Sequence, residues 1–212
     1  MPVLHFMDTK IHKIENIHVE APRRDILARL KFNFHKTKLD RKTLDLFEKT
    51  LSLAVSVCEC KGVYRFLDIK KITDKKIVLS DGTAFESASL AKLLRNSSKV
   101  VMMASTVGKE ITDETNSLIA KGRASEAVIV DAAASEIADE VMNQINLFCA
   151  NIAKKDGMKL TKMRFSPGYG DLGVENQKQF FKTLELKKSG FSLMESFMIV
   201  PEKSVTAIAG VE

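Results

Sequence analysis

A short segment in the last quarter of the chain carries the residue types best suited to bind a small molecule. Arg164 precedes a rigid Pro167-Gly168 turn, and Tyr169 follows that turn. A fixed guanidinium can bind a carboxylate, free backbone groups can bind an adenine edge, and an aromatic face can bind a sulfonium. Each residue alone is as readily a surface or packing residue, but their joint placement on one loop predicts a site for a small zwitterion.

A second segment begins at Glu195 and ends with Ser204-Val205-Thr206. Glu195 is flanked by Met194 and Phe197, in what the pattern predicts to be an apolar strand. A carboxylate in such a strand needs a partner. The partner of the Glu195 carboxylate could be a structural ion pair, hydrogen bonds to the Arg164 loop, or the amino group of a ligand. A structural role is slightly favoured.

Three glycines, Gly168, Gly170 and Gly173, match the Gly-x-Gly-x-x-Gly fingerprint of dinucleotide-binding folds. That fold needs the motif early in a unit of several parallel strands. Only 39 residues follow Gly173, and they offer one helix and two strands that resemble a hairpin. The pattern therefore favours glycines that let a loop turn tightly, and an oxidoreductase that binds NAD(P)H is the weaker alternative.

Composition bounds the class of protein. The chain has 212 residues, 45% hydrophobic and 28% charged, which is typical of a globular protein. We expect one domain over 1–212, with 1–35 as an N-terminal extension. No apolar run is long enough to span a bilayer, and His5, Asp8 and Lys10 make the N-terminus unlike a signal peptide. We expect a cytoplasmic protein that binds no membrane.

The net charge of +6 comes from lysines that are spread along the chain. Without a basic stripe interleaved with aromatic residues, nucleic-acid binding is not predicted. A diffuse positive surface could attract an acidic protein partner, or it could simply keep the protein soluble.

Cysteine and histidine patterns do not predict a metal site. Cys58 and Cys60 form a C-x-C pair, but no third and fourth ligand follows at a suitable spacing, so we expect buried free thiols together with Cys149. The four histidines all lie far in sequence from the arginine loop: His5, His12, His18 and His35. Neither a metal centre nor a histidine-based triad is therefore expected.

Hydrophobic periodicity mixes helices and strands without a βαβ rhythm, which predicts an α+β fold. We expect helices over 22–30, 39–57, 87–94, 109–121, 125–155 and 174–184. We expect strands within 62–85 and over 100–104, 160–165, 191–200 and 203–211. The longest helix is rich in alanine, and its apolar stripe comprises Val130, Ala134, Ile137, Val141, Ile145, Phe148 and Ile152.

The two C-terminal segments, in this order, resemble the reactivation domain of cobalamin-dependent methionine synthase, which binds S-adenosylmethionine. That family has an Arg-x-x-Pro-Gly-Tyr core, which Arg164, Pro167, Gly168 and Tyr169 match. It then has a Leu-Thr-Glu-Ser-Phe-like strand, a proline and a Ser-Val-Ser-like strand. The corresponding segments of this chain are Leu193-Met194-Glu195-Ser196-Phe197, Pro201 and Ser204-Val205-Thr206.

The resemblance implies a fold and a set of site residues. The family fold is α+β, with a bent and mainly antiparallel sheet flanked by helices. Arg164 is implied to bind the carboxylate of S-adenosylmethionine, and Pro167, Gly168 and Tyr169 to lie against the nucleoside. Glu195 is a possible supporting residue.

The resemblance also implies a repair function. The domain orients S-adenosylmethionine so that methyl transfer can draw forward the unfavourable reduction of cob(II)alamin by a flavodoxin-like donor. No residue of this chain is expected to be catalytic, and cobalamin is expected on a partner. The usual D-x-H-x-x-G motif cannot occur here, because every histidine precedes residue 36 and the first glycine is Gly62. We expect a free-standing reactivation subunit, inactive alone, that docks onto a corrinoid-binding methionine synthase subunit.

The chain departs from the family pattern at three places. Gly170-Asp171-Leu172-Gly173 replaces a stretch with proline and cysteine, and Met194 replaces a threonine. The N-terminal acid that binds the ligand amino group in the full enzyme has no evident match. Two further alternatives stay open: an activator of another corrinoid methyltransferase, and a non-catalytic scaffold that has lost the ligand.

Overall fold

The computed structural model describes residues 7–32 and 40–212. The helices are α1 (Arg23–Arg29), α2 (Arg41–Val57), α3 (Ala88–Leu93), α4 (Glu110–Ala120), α5 (Ala124–Lys155) and α6 (Gln177–Thr183). The strands are β1 (His12–Ile14), β2 (Lys61–Ile72), β3 (Lys76–Leu79), β4 (Ala84–Glu86), β5 (Lys99–Thr106), β6 (Ser192–Leu193), β7 (Ile199–Val200) and β8 (Ser204–Val211). The predicted α+β class is confirmed.

The main sheet is antiparallel and curled, with strand order β4-β3-β2-β5-β8 and with β1 paired to the first residues of β2. The long strand β2 pairs with β5 along one edge and with β1 and then β3 along the other. A register shift between Ile69 and Lys71 marks a bulge, which bends a strand. Because every strand pairing among the described residues is antiparallel, the dinucleotide-binding alternative lacks its parallel sheet.

Alternating side chains of the central strands face two separate cores. Val101 and Met103 of β5 face the helical layer of α5, whereas Val100 and Met102 face the layer of α3 and α6. All four side chains are fully buried. The sheet is therefore covered on both faces, and the continuous apolar run of β5 follows from that burial.

Helix α5 lies across one face of the sheet and confirms the predicted long helix. Its small residues Ala132, Ala133 and Ala134 are buried, so that neighbouring elements approach closely. The predicted stripe is wrong at Phe148, which is 48% exposed, while Cys149 beside it is fully buried. Phe148 lies on the predicted face, since it follows Val130 by five turns of about 3.6 residues, but its ring is only partly covered, by an edge-on contact with Tyr64.

Two strand predictions near the candidate loop are wrong in extent. Residues 160–165 form no continuous strand; they contact β8 through isolated bridges at Leu160 and Phe165 and through hydrogen bonds of Thr161. Residues 191–200 form a hairpin of β6 and β7 rather than one strand, because Phe197 adopts φ +64° and the chain turns after Met194. This hairpin carries the part of the second segment from Glu195 to Val200, and β8 carries Ser204 to Thr206.

The described part of the predicted N-terminal extension packs on this fold. Strand β1 pairs with β2, and α1 packs against α5, where Arg29 pairs with Glu136. No helix of the described residues is long and apolar enough to cross a bilayer.

Candidate functional site

A cleft of about 510 Å³ lies where the arginine loop, α5 and β8 meet. Its lining brings the two predicted segments together. The residues are Asp139, Met163, Arg164, Phe165, Ser166, Pro167, Tyr169, Gln177, Ile199, Ser204, Val205 and Thr206. Gly168 sits within the same loop at its exposed turn. Three of the four residues predicted as binding residues therefore line one cavity, and the fourth lies between two of them.

The backbone around Arg164 is fixed on both sides by β8. Phe165 exchanges two backbone hydrogen bonds of 2.8 Å with Ile208. On the other side, the backbone N–H of Thr161 donates to the Gly210 carbonyl at 2.9 Å, and the Thr161 hydroxyl accepts from the Gly210 N–H at 3.0 Å. Arg164 therefore projects from a short bridge pinned to a buried strand.

The Arg164 guanidinium lies among polar groups of α5. Its Nη1 donates to Asn143 Oδ1 at 2.9 Å. Burial lowers the pKa of Arg164, and the negative charges of Asp139 and Glu140 oppose that shift. An arginine stays charged at neutral pH, and among the described residues no carboxylate forms a salt bridge with this one. Its remaining donors are therefore available to an acid from outside the chain.

Asp139 lines the same cleft and was not found from the sequence. Partial desolvation and the neighbouring Glu136 raise the pKa of Asp139, while the positive charges of Arg29 and Arg164 lower it. A cation and a carboxylate thus face one cavity, which suits a ligand carrying both charges. The sequence does not mark Asp139 as a site residue, because it lies in the middle of α5, where an acid is typical of a solvated helix face.

The loop after Arg164 turns tightly because two of its glycines adopt positive φ. Gly168 has φ +96° and Gly170 φ +54°. The Gly168 N–H donates to the Leu172 carbonyl at 2.7 Å, and the Tyr169 N–H donates to the Ser166 carbonyl at 3.1 Å. This confirms the interpretation of the glycines as turn residues. Tyr169 stands at the tip with 69% of its surface exposed.

Asp171 fastens this exposed loop to the body of the protein. Its carboxylate accepts hydrogen bonds from Ser87 Oγ and the Ala88 N–H, both at 2.6 Å, and from the Ser89 N–H at 3.2 Å. These bonds lower the pKa of Asp171 to about 2, and the bond from Ser87 has the largest effect. Ser87 also caps α3, since its Oγ accepts from the Leu90 N–H at 3.0 Å.

Side-chain hydrogen bonds fix polar groups on the β8 side of the cleft. The Thr206 hydroxyl donates to Gln177 Oε1 at 2.8 Å, in a buried pair. The Ser204 hydroxyl lies 2.6 Å from the Pro201 carbonyl and 2.9 Å from Thr106 Oγ1. The Thr206 bond joins the first residue of α6 to the second predicted segment, and the Ser204 contacts join that segment to β5 and to Pro201.

Glu195 lies apart from the Arg164 cleft. The structure places it in the exposed turn between β6 and β7, not in an apolar strand as the pattern predicted. Its side chain lines a different cleft with Lys178 and Lys182, and no salt bridge joins it to another described residue. The apolar pattern around it misled because Met194 and Met198 are exposed hydrophobic residues of a hairpin.

The cysteines and two of the histidines lie away from the cleft. Cys60 and Cys149 are buried, Cys58 is half-buried, and all three are free thiols. His12 contacts Asp8 Oδ1 at 2.7 Å and stacks on Tyr64. The predictions for His5 and His35 fall outside the described residues. Within 7–32 and 40–212, no three His, Cys, Asp or Glu side chains are grouped as a metal ion would require.

We expect Asp171→Asn to weaken the attachment of the loop and to lower the midpoint of urea unfolding at pH 7. The folded pKa of about 2 lies below the ordinary value of 3.8. The stabilisation is therefore complete above pH 3.8 and is lost as the pH falls through 2. The difference between the urea midpoints of the wild type and the variant should therefore narrow as the pH falls from 3.8 to about 2. Asp74→Asn, in the exposed turn after β2, is the matched control, and an equal effect of both substitutions at pH 7 contradicts the anchoring role.

Comparison with solved structures finds the same fold in a protein of known structure. The crystal structure of the MetH reactivation domain bound to AdoHcy matches this chain with a TM-score of 0.66 at 14% sequence identity. The match covers 95% of this chain and 78% of that one. No protein-family model matches the chain, and no curated protein does so either. The chain therefore has the fold of the MetH reactivation domain.

Proposed function

We propose that this chain is the S-adenosylmethionine-binding subunit of a split cobalamin-dependent methionine synthase, serving the reductive methylation that reactivates cob(II)alamin. One observation carries the proposal. A half-buried Arg164, followed by Pro167-Gly168-Tyr169, faces a cleft of about 510 Å³ in the fold of a domain solved with AdoHcy. AdoHcy is S-adenosylmethionine without its methyl group, so the two share the amino-acid tail and the nucleoside.

The cleft fits the size and charges of that ligand. Its volume falls within the roughly 300–1,000 Å³ that ligand sites occupy. Arg164 would bind the carboxylate, and Asp139 on the same wall would accept the α-ammonium group. Asp139 would thus provide a carboxylate for the amino group from α5, where the chain has no evident match for the N-terminal acid of the family. Pro167 and Gly168 would lie along the nucleoside, with the exposed ring of Tyr169 beside it.

The contribution of this chain is orientation. The hydrogen bonds of Phe165 to β8 and of Asp171 to α3 hold both ends of the loop, so the bound tail has one position. Cobalamin, when a partner presents it, supplies the metal centre that accepts the methyl group. A sulfonium held at an open surface cleft can meet that centre, and fixing two reactants in contact removes much of the entropic barrier.

The proposal is tested by calorimetric titration with S-adenosylmethionine, alone and with a corrinoid-loaded methionine synthase subunit present. We expect saturable binding to the chain alone and complex formation with the partner. Binding without any complex would favour an activator of another corrinoid methyltransferase. If the wild-type protein gives no heat of binding under either condition, the proposal is overturned and the hypothesis of a non-catalytic scaffold remains.

Asp139→Asn should weaken binding of S-adenosylmethionine about two- to fivefold, because exposed ion pairs contribute about 0.2–1 kcal/mol. An analogue without the α-amino group has no charge for Asp139 to bind. Its affinity should therefore be the same for wild type and variant. Equal losses for both ligands would show that Asp139 acts only through the shape of the cleft.

A further inference from the structure

A second cleft, of about 640 Å³, lies between α6, the 3-10 turn Leu186–Ser189 and the β6–β7 hairpin. Its lining separates into an apolar part and a charged part. The apolar residues are Phe181, Leu193, Met194 and Phe197, and the charged residues are Lys178, Lys182, Lys187 and Glu195. We call it the lysine cleft. It shares no lining residue with the Arg164 cleft.

The three lysines of this cleft form no salt bridge with any described residue. The neighbouring Lys188 differs, since its Nζ lies 2.7 Å from Glu185 Oε2. Three exposed ammonium groups around one cavity repel each other, and the single carboxylate of Glu195 leaves the cavity with a net positive charge. An anion brought from outside would relieve that repulsion.

The apolar part is built by a hairpin with an unusual backbone. Phe197 has φ +64°, a conformation that bulky residues rarely adopt and that is common at ligand clamps. It places the ring under Lys178, whose Nζ lies 4.9 Å from the ring centroid. Met194 at the same tip is 52% exposed. An exposed thioether and a half-buried aromatic ring thus lie beside the lysines, where they can contact an apolar group.

We propose that the lysine cleft binds a small amphipathic organic anion, whose carboxylate or phosphate contacts Lys178, Lys182 and Lys187 and whose apolar body lies on Phe181, Leu193 and Phe197. The volume suits a ligand of ordinary size. Only eight residues line the cleft, all within 178–197. A stable protein interface uses about 20–30 residues from each partner, so a small molecule fits the site better than a protein segment.

The test uses octanoate as the probe, followed by amide chemical shifts of the full chain. Octanoate carries both features, whereas acetate lacks the apolar body and octylammonium has the opposite charge. We expect saturable shifts confined to 178–197 with octanoate alone, weaker at high salt because screening reduces exposed charge interactions. The proposal would be overturned if octylammonium bound as tightly as octanoate. It would also be overturned if an acidic phenylalanine-containing peptide bound and octanoate did not.

Matched variants identify the site. Replacing Lys178, Lys182 and Lys187 together by Gln should raise the Kd of octanoate about tenfold or more, since each exposed charge contributes a factor of up to about five. Lys188→Gln is the control and should leave the Kd of octanoate unchanged. Glu195→Gln should instead tighten binding by about twofold or more, because it removes a like charge from the cavity.

The direction in which Glu195→Gln changes the Kd of octanoate still decides the test if the triple lysine variant does not fold properly. Weaker octanoate binding by Glu195→Gln, or an unchanged Kd in a folded triple variant, contradicts the proposal. Arg164→Ala should bind octanoate as the wild type does. This result separates the lysine cleft from the function proposed for the Arg164 cleft.

Discussion

Arg164→Ala is expected to weaken binding of S-adenosylmethionine by about tenfold or more. A hydrogen bond to a charged group contributes roughly 1.5–3 kcal/mol, and each 1.4 kcal/mol corresponds to about tenfold in Kd. Arg164 should lie near the upper part of that range because its side chain is half-buried and its backbone is pinned to β8. Calorimetric titration of the wild type and the variant measures the difference.

Two further variants make this measurement specific. Arg164→Lys keeps the charge but loses the planar fork, so it should recover only part of the affinity. Lys162→Ala removes the same charge from an exposed side chain two residues away, outside the cleft, and should bind as the wild type does. If Lys162→Ala and Arg164→Ala lose equal affinity, the arginine acts through general surface charge and not as a carboxylate-binding group.

The elements could be predicted where a local pattern was sufficient. The apolar run of β5, the short helix after Ser87 and the long helix with its apolar stripe each depend on residues within one segment, and the structure contains all three. The hairpin at 194–198 could not be predicted in this way. Its turn needs a left-handed phenylalanine, a conformation that no propensity favours and that packing beside Lys178 supports.

The site followed the same division. Arg164, Pro167 and Tyr169 line the candidate cleft, and the sequence could group them because they lie within six consecutive residues. Asp139 and Asp171 were missed because their roles depend on partners distant in sequence. Asp171 contacts residues 82–84 positions away, and Asp139 meets the arginine loop only through the packing of α5. Neither contact leaves a local pattern, so a single sequence does not reveal it.

Phe180→Ala is expected to lower the free energy of unfolding by about 3–5 kcal/mol, the usual cost of removing a buried phenylalanine side chain. Phe180 is fully buried and packs on Phe85, with ring centroids 5.8 Å apart. It belongs to α6, which carries Gln177 on the wall of the Arg164 cleft and Lys178 on the lysine cleft. Urea denaturation monitored by circular dichroism gives the free energy directly.

The same substitution should disturb both clefts at once, because α6 is the one helix in the described part of the chain that lines both of them. Phe148→Ala is the matched control. Its ring is 48% exposed and meets Tyr64 edge-on, so its removal should cost about 1–2 kcal/mol, less than for Phe180, and leave both clefts unchanged. A Phe180→Ala protein that loses stability yet keeps both affinities would show that the clefts do not depend on the packing of α6.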